Sequence, residues 1–343
     1  MKASVLVSPK RLVFEERSIP RAGAGEMIVR VRAAAICGTD IRMWSNGISG
    51  NRPLVLGHEV AGDISELGEG VAGYSVGDKV AVAPNYGCGI CDECVSGRTH
   101  LCPDYRALGI NIDGAFAEYV RIPAPAVRQG NVCRLGPAIT YAQAAAVEPL
   151  SCAFNGHQAY GVHPGDSVLI IGAGPIGCMH AMLAQMVGAS QVILNDLSAE
   201  RLAYCSGILG GVMTYAGDDL KGFVMEKTNG RGVDVCVTAC PSPAAQAASL
   251  ELMAVFGRVC FFGGLPAGRD RVELNTNLIH YRQLIVTGTS RSSLSQYRKC
   301  LQLVESGVLP MDKLITNHFT LDQIEEAFQF CAKAGGLKSV IDF

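Results

Sequence analysis

An excess of charge of either sign is missing from this sequence. Lys and Arg number 29 against 31 Asp and Glu, so the chain carries no electrostatic footprint for nucleic acid or an anionic membrane surface. Short basic clusters occur without any sustained run, and they read as solvated surface. Long apolar runs are missing too, and none approaches the roughly 20 residues that a membrane-spanning helix needs. The opening MKASVLVSPKRLVFEE has too short an apolar stretch for a secretion signal and soon turns charged. Internal repeats and low-complexity tracts are also missing, which excludes solenoids and arrays. Cysteine, in contrast, is plentiful. Fourteen cysteines without a secretion signal point to a reducing compartment, where thiols bind metal or pack. The expectation is a soluble, cytoplasmic protein with no nucleic-acid or membrane partner.

At 343 residues, 49% of them hydrophobic, the chain is long for one core, and two domains are expected. Residues 1–150 read as β-rich, with short apolar or alternating runs broken by Gly, Pro and Asp. From His163-Pro164-Gly165-Asp166 onward, apolar strands alternate with helical segments, as βαβ units with a buried parallel sheet do. Residues 290–343 return to a helical stretch and close on the strand KSVIDF, with Thr320 and Gln323 spaced as a capping box. The expected class is therefore α/β. A dinucleotide domain, 151–289, is inserted between the two parts of a first domain, 1–150 and 290–343.

Gly172-Ala173-Gly174-Pro175-Ile176-Gly177 follows the strand SVLII and opens a helix. That context turns a weak G-x-G-x-x-G into a dinucleotide loop. Gly172 makes the turn, Gly174 admits the pyrophosphate, and Gly177 allows close helix–strand packing. Pro175 and Ile176 start the helix whose N–H groups face the phosphates. Asp196 ends the next strand, where a carboxylate accepts from ribose hydroxyls and repels a 2′-phosphate, so NAD is favoured over NADP. The same residue also reads as a helix cap.

Cys88-x2-Cys91-x2-Cys94-x7-Cys102 is the strongest local signal. Four thiolates at this spacing close on one tetrahedral Zn²⁺ and leave no open position, so the site is structural. A redox pair would need only two of them. Elsewhere, Cys37-Gly38-Thr39-Asp40, Gly57-His58-Glu59 and Glu148 can together supply a catalytic zinc with an open position. Each is weak alone, since a lone Cys or His in a β-rich region more often packs than ligates.

C-G-T-D, G-H-E, Y-S-V-G-D-K-V, the four-Cys lobe, G-A-F-A-E-Y, E-P-L-S and G-A-G-P-I-G occur here in one order. That order resembles the zinc-containing medium-chain dehydrogenases along the whole chain. Val147-Glu148-Pro149-Leu150 resembles the sorbitol and threonine dehydrogenase branch, where Glu replaces the third-ligand Cys of other alcohol dehydrogenases. The resemblance implies a β-rich GroES-like catalytic domain beside a Rossmann doubly wound parallel sheet. It implies a catalytic zinc on Cys37, His58 and Glu59, with Glu148 either ligating or bound to the zinc's water. His58 and Glu59 are neighbours and reach one metal only if the backbone turns there. Asp40 is placed to hold the imidazole of His58, or simply to cap a local turn. Thr39 relays the substrate's proton. Thr287-Gly288-Thr289 supplies backbone contacts to the nicotinamide. The resemblance also implies a homo-oligomer, either dimer or tetramer.

The expected reaction is reversible NAD-linked oxidation of a secondary hydroxyl of a polyol to the ketose. Many relatives end the proton relay on a His where this chain has Arg42, which stays charged and cannot act as a base. Arg42 therefore reads either as an anion contact or as a surface residue. Trp44 and Phe116 are candidates to line the substrate pocket, and equally candidates for the core. The rival substrates are a polyol phosphate, with Arg42 or Arg291 supplying charge, and L-threonine. The rival of another class is a non-enzymatic protein that retains the fold.

Overall fold

The computed structural model describes residues 1–48 and 52–343. The chain divides into two compact units, Met1–Ser151 with Ser292–Phe343, and Cys152–Arg291.

The first unit is built on a seven-stranded sheet. Its middle strand, Met27–Ala35, is apolar and buried on both faces save at Arg30 and Arg32. Glu59–Leu67 pairs antiparallel on one side and Lys338–Asp342 antiparallel on the other. Register decides what gathers at the end of the middle strand. Ala35 lies opposite Glu59 on one flank and opposite Val340 on the other. Residues from the start, the first quarter and the last six positions of the chain therefore meet two residues before Cys37.

Gly57 makes the turn that admits His58. Its φ is +95°, and a Cβ there would meet the backbone N of Phe116 at 3.0 Å, so only glycine suits the position. The strand starts at Glu59, so His58 stands in the turn and Glu59 in the ladder.

Trp44 and Phe116 join this unit's core rather than an open face. They are 6% and 1% exposed, and each packs edge-on against Phe328 at centroid distances of 6.0 and 5.7 Å. This packing fits the core reading, one of the two expected of them.

The second unit is a six-stranded sheet in which every pair is parallel. Its order is Met213–Tyr215, Gln191–Asn195, Ser167–Ile171, Val233–Thr238, Met253–Phe261, Ile285–Gly288. Counted from its own first strand this is 3-2-1-4-5-6, the doubly wound Rossmann arrangement that the resemblance implies. The crossover helix Pro175–Met186 is buried from Gly177 to Ala184, which accounts for its almost unbroken apolar sequence.

Candidate active site

Cys37 caps the helix Gly38–Asn46. Its Sγ accepts from Thr39 N, and Asp40 Oδ2 accepts from Cys37 N at 2.9 Å, a closed capping box with a thiol in the usual hydroxyl's place. The other oxygen of Asp40 accepts from Gly57 N at 3.3 Å and lies 3.3 Å from His58 Nδ1. The two roles expected of Asp40 are thus one arrangement, because the carboxylate that closes the cap also faces the imidazole. Asp40 is fully buried. Burial disfavours a charged imidazole, but the negative charge of Asp40 and Cys37 outweighs it and holds the His58 pKa well above its ordinary value.

Donor atoms of Cys37, His58 and Glu59 all lie within 4.8 Å of one another. One thiolate, one imidazole and one carboxylate at that spread fit a zinc ion that keeps a fourth position open. Glu148, also expected near the metal, is buried in the first turn of the helix Val147–Tyr160. It is not among the three donors that converge. Thr39 is half-buried, and Arg42 Nη2 reaches its hydroxyl oxygen at 3.5 Å, near the outer limit of a hydrogen bond.

Lys338 is the residue that the sequence reading missed. Its ammonium donates to Glu59 Oε1 at 2.6 Å, lies 2.5 Å from Oε2, and donates to the carbonyl of Ile36 at 2.9 Å. Both side chains are almost wholly buried, 4% and 0% exposed. Burial alone would depress the lysine's pKa, but the charges of Glu59 and Cys37 raise it above its ordinary value, so the ion pair is kept. Glu59 therefore has two claimants for its charge. The signal in the sequence is slight, a lysine opening the short strand Lys338–Asp342.

The Cys88, Cys91, Cys94 and Cys102 sulfurs form a second group within 4.8 Å. Gly87 makes room for it, since a Cβ there would sit 2.5 Å from Cys94 Sγ. Hydrogen bonds from the Ile90 and Cys91 backbone lower the Cys88 thiol to about 7, while burial pushes Cys94 up to about 12. Four sulfurs with no other donor fit a closed tetrahedral site.

In the second unit Gly172 turns at φ +113°, and a Cβ on Gly177 would fall 1.8 Å from the Gly172 carbonyl. Gly174 is the N-cap of the following helix and Pro175 its first residue; Ile176 is the second. Asp196 Oδ2 accepts from Ala173 N at 2.7 Å and Oδ1 from Ser198 N at 2.9 Å. Ser198, not Asp196, caps the helix Ala199–Leu209. Thr287 and Gly288 end the edge strand Ile285–Gly288, and Thr289 follows with a buried hydroxyl. This is the carboxyl end of the sheet, where doubly wound folds bind ligands.

Residues 23–130 match the alcohol dehydrogenase GroES-like domain, and residues 175–306 match the zinc-binding dehydrogenase domain. Sorbitol dehydrogenase of Bacillus subtilis (strain 168) is 31% identical over 96% of this chain and 93% of its own length. The chain belongs to the zinc-containing medium-chain alcohol dehydrogenases. L-threonine 3-dehydrogenase of Pyrococcus horikoshii is 34% identical over 95% of this dehydrogenase and 93% of its own length. A solved structure assigned to the zinc-binding dehydrogenases, from Sinorhizobium meliloti 1021 and bound to NADP, superposes with a TM-score of 0.91. It is 30% identical and covers 100% of this chain and 99% of its own. The matched segments contain Cys37, His58, Glu59 and the four-cysteine lobe, whereas Glu148 and Lys338 of this alcohol dehydrogenase lie outside them.

Proposed function

We propose that this dehydrogenase oxidises a secondary hydroxyl of a polyol to the ketose, reversibly and with NAD, holding one catalytic and one structural zinc per chain. The observation that carries the reading is the convergence of Cys37, His58 and Glu59, a donor set with one place left for substrate. Zinc bound there lowers the pKa of a substrate hydroxyl, and NAD supplies the hydride acceptor. If the bound zinc expanded to five-coordination, the site would suit a substrate that brings two neighbouring oxygens, which favours polyols over simple alcohols.

The chain's own residues do the rest. Asp40 fixes the His58 ring and keeps the turn at Gly57 closed. Thr39 takes the proton from the reacting hydroxyl. Arg42 donates to the Thr39 oxygen, which leaves the Thr39 proton free to point onward. Arg42 cannot accept that proton, so the proton leaves by water, by the nicotinamide ribose or through Glu148. Asp196 spends one acceptor site per oxygen on backbone N–H groups, and a carboxylate has about four. Enough remain for the two ribose hydroxyls, and the charge opposes a 2′-phosphate. The NADP in the Sinorhizobium structure makes this a discriminating test.

We further propose a homo-oligomer joined through the edge strand Ile285–Gly288 of the second unit. Ile285 is 57% exposed, and Phe256 on the neighbouring strand is 64% exposed. Such an edge calls for a partner strand. The reducing cytoplasm suits a chain in which none of the fourteen cysteines forms a disulfide. Among the described residues no helix is long and apolar enough to cross a membrane.

L-threonine is the second reading, favoured by the named relatives, and it requires a cation for the substrate's carboxylate. Hexitols, pentitols, their phosphates and L-threonine, each assayed with NAD and NADP at the NADH absorbance, separate these readings. Turnover of L-threonine alone would overturn the polyol assignment.

A further inference from the structure

The second unit holds a thiol pair that neither the metal sites nor the reaction uses. Cys178 lies in the first turn of the helix Pro175–Met186, and Cys205 lies in Ala199–Leu209. They are 27 residues apart in sequence, fully buried, with sulfurs 3.3 Å apart. Both thiols also face one backbone carbonyl, that of Ala173, at 3.9 Å from Cys178 and 3.5 Å from Cys205. Ala173 is the second residue of the glycine-rich loop, and its own N–H is the one that Asp196 accepts. The thiol pair and the ribose-reading carboxylate therefore hold opposite ends of the same loop residue.

We propose that Cys178 and Cys205 are an oxidation-sensitive pair whose disulfide distorts the glycine-rich loop and weakens dinucleotide binding. The proposal rests on the reading of that loop as the NAD site. A disulfide needs sulfurs about 2.04 Å apart, so a little over 1 Å of approach between the two helices closes the bond. The oxidant is a hydroperoxide, small enough to reach a buried thiol. The Cys205 thiolate attacks one peroxide oxygen, the O–O bond breaks, and a proton from the medium completes the leaving water, which gives a sulfenic acid. Cys178 then attacks that sulfur, the S–O bond breaks, and a second water leaves with the Cys178 proton. Two thiols lose two electrons, and one hydrogen peroxide becomes two waters. The Cys178–Cys205 hydrogen bond favours this order, since it lowers the pKa of Cys205 and raises that of Cys178.

The consequence follows from Ala173. It is fully buried, and the disulfide removes the S–H donor that the thiol pair offers its carbonyl. A buried carbonyl without a donor is costly, so the peptide turns toward another partner and draws the loop away from the geometry that the pyrophosphate needs.

The test uses the full zinc-loaded chain. Graded hydrogen peroxide is added, free thiols are alkylated, and non-reduced peptides are mapped by mass spectrometry alongside zinc content and NADH affinity by fluorescence. The expected result is a Cys178–Cys205 cross-linked peptide at retained zinc content, with NADH affinity about tenfold weaker and restored by dithiothreitol. Cys178→Ala and Cys205→Ala should each keep their NADH affinity under the same treatment. If either variant fails to fold, the wild-type map and its reversal by dithiothreitol decide alone. A protein that binds NADH when reduced but forms no cross-link before the zinc-lobe thiols oxidise would overturn this proposal alone. So would a cross-linked protein with unchanged affinity. A reduced protein with no NADH affinity would overturn the dinucleotide reading and this proposal together.

Discussion

Lys338 and Glu59 form a buried ion pair at the place where the Cys37 and His58 donors converge. Removing one member of such a pair strands the other's charge, at a cost of about 3–5 kcal/mol. A metal ion is a second counter-charge for Glu59. Lys338→Met should therefore lower the melting temperature sharply in chelator and much less with zinc bound, while Lys338→Arg stays near wild type in both. Thermal unfolding with and without zinc measures this. Equal losses in the two conditions would show that Lys338 only packs.

The two sulfur-containing sites should fail differently. Metal analysis should find close to two zinc equivalents per chain. Cys94→Ser, or Gly87→Ala with its Cβ 2.5 Å from Cys94 Sγ, should impair folding, because a closed site contributes folding energy. Cys37→Ser should leave a folded protein with little activity. The reverse outcome, seen by circular dichroism and turnover, would exchange the two assignments.

Asp196→Asn keeps oxygen and nitrogen where the carboxylate was but removes the charge. NAD should lose roughly tenfold in kcat/KM, as expected for loss of charge-assisted hydrogen bonds, and the NADP-to-NAD ratio should rise. A wild type that prefers NADP would sink the assignment at once.

Arg42 separates neutral from phosphorylated substrates. With a neutral polyol, Arg42→Ala should change KM little, because the side chain is exposed. With a polyol phosphate, KM should rise on the order of ten- to a hundredfold. A wild type much faster on the phosphate, with that advantage lost in Arg42→Ala, would replace the neutral polyol as substrate.

Acid should loosen the second unit through its histidines. Burial lowers His157 to about 4 and His180 to about 3. Each is thus neutral when folded, while the unfolded chain binds the proton near its ordinary pKa of about 6.5. Their stabilising effect is complete above that value and is lost as pH falls toward 4. For His157 the loss is on the order of 2–3 kcal/mol by about pH 4.5. His157→Phe should flatten the pH dependence of denaturant unfolding between about pH 6.5 and 4.5. An unchanged slope would mean that the ring is already solvated.

The sequence spoke clearly where chemistry is local. The glycine-rich loop and the four cysteines each lie within a few residues of one another, and strand–helix alternation reports a parallel sheet through composition alone. The role of Lys338 was invisible because its partner is 279 residues away and strand register, not spacing, brings them together. Trp44 and Phe116 were ambiguous for a similar reason. An aromatic near a site motif looks the same in sequence whether it lines a pocket or meets Phe328 behind it. Asp196 was read partly as a helix cap, yet the hydroxyl two residues on takes that task.

Synthesis runs from the N-terminus, and this has a cost at Glu59. While the ribosome is still adding residues, Glu59 exists without Lys338, and the sheet that holds Cys37 lacks its flanking strand Lys338–Asp342. The inserted Rossmann unit has all its strands between Ser167 and Gly288 and can close before that. The donor cluster is complete only once Lys338–Asp342 has paired with Met27–Ala35, and loss of that strand would leave Glu59 without its lysine.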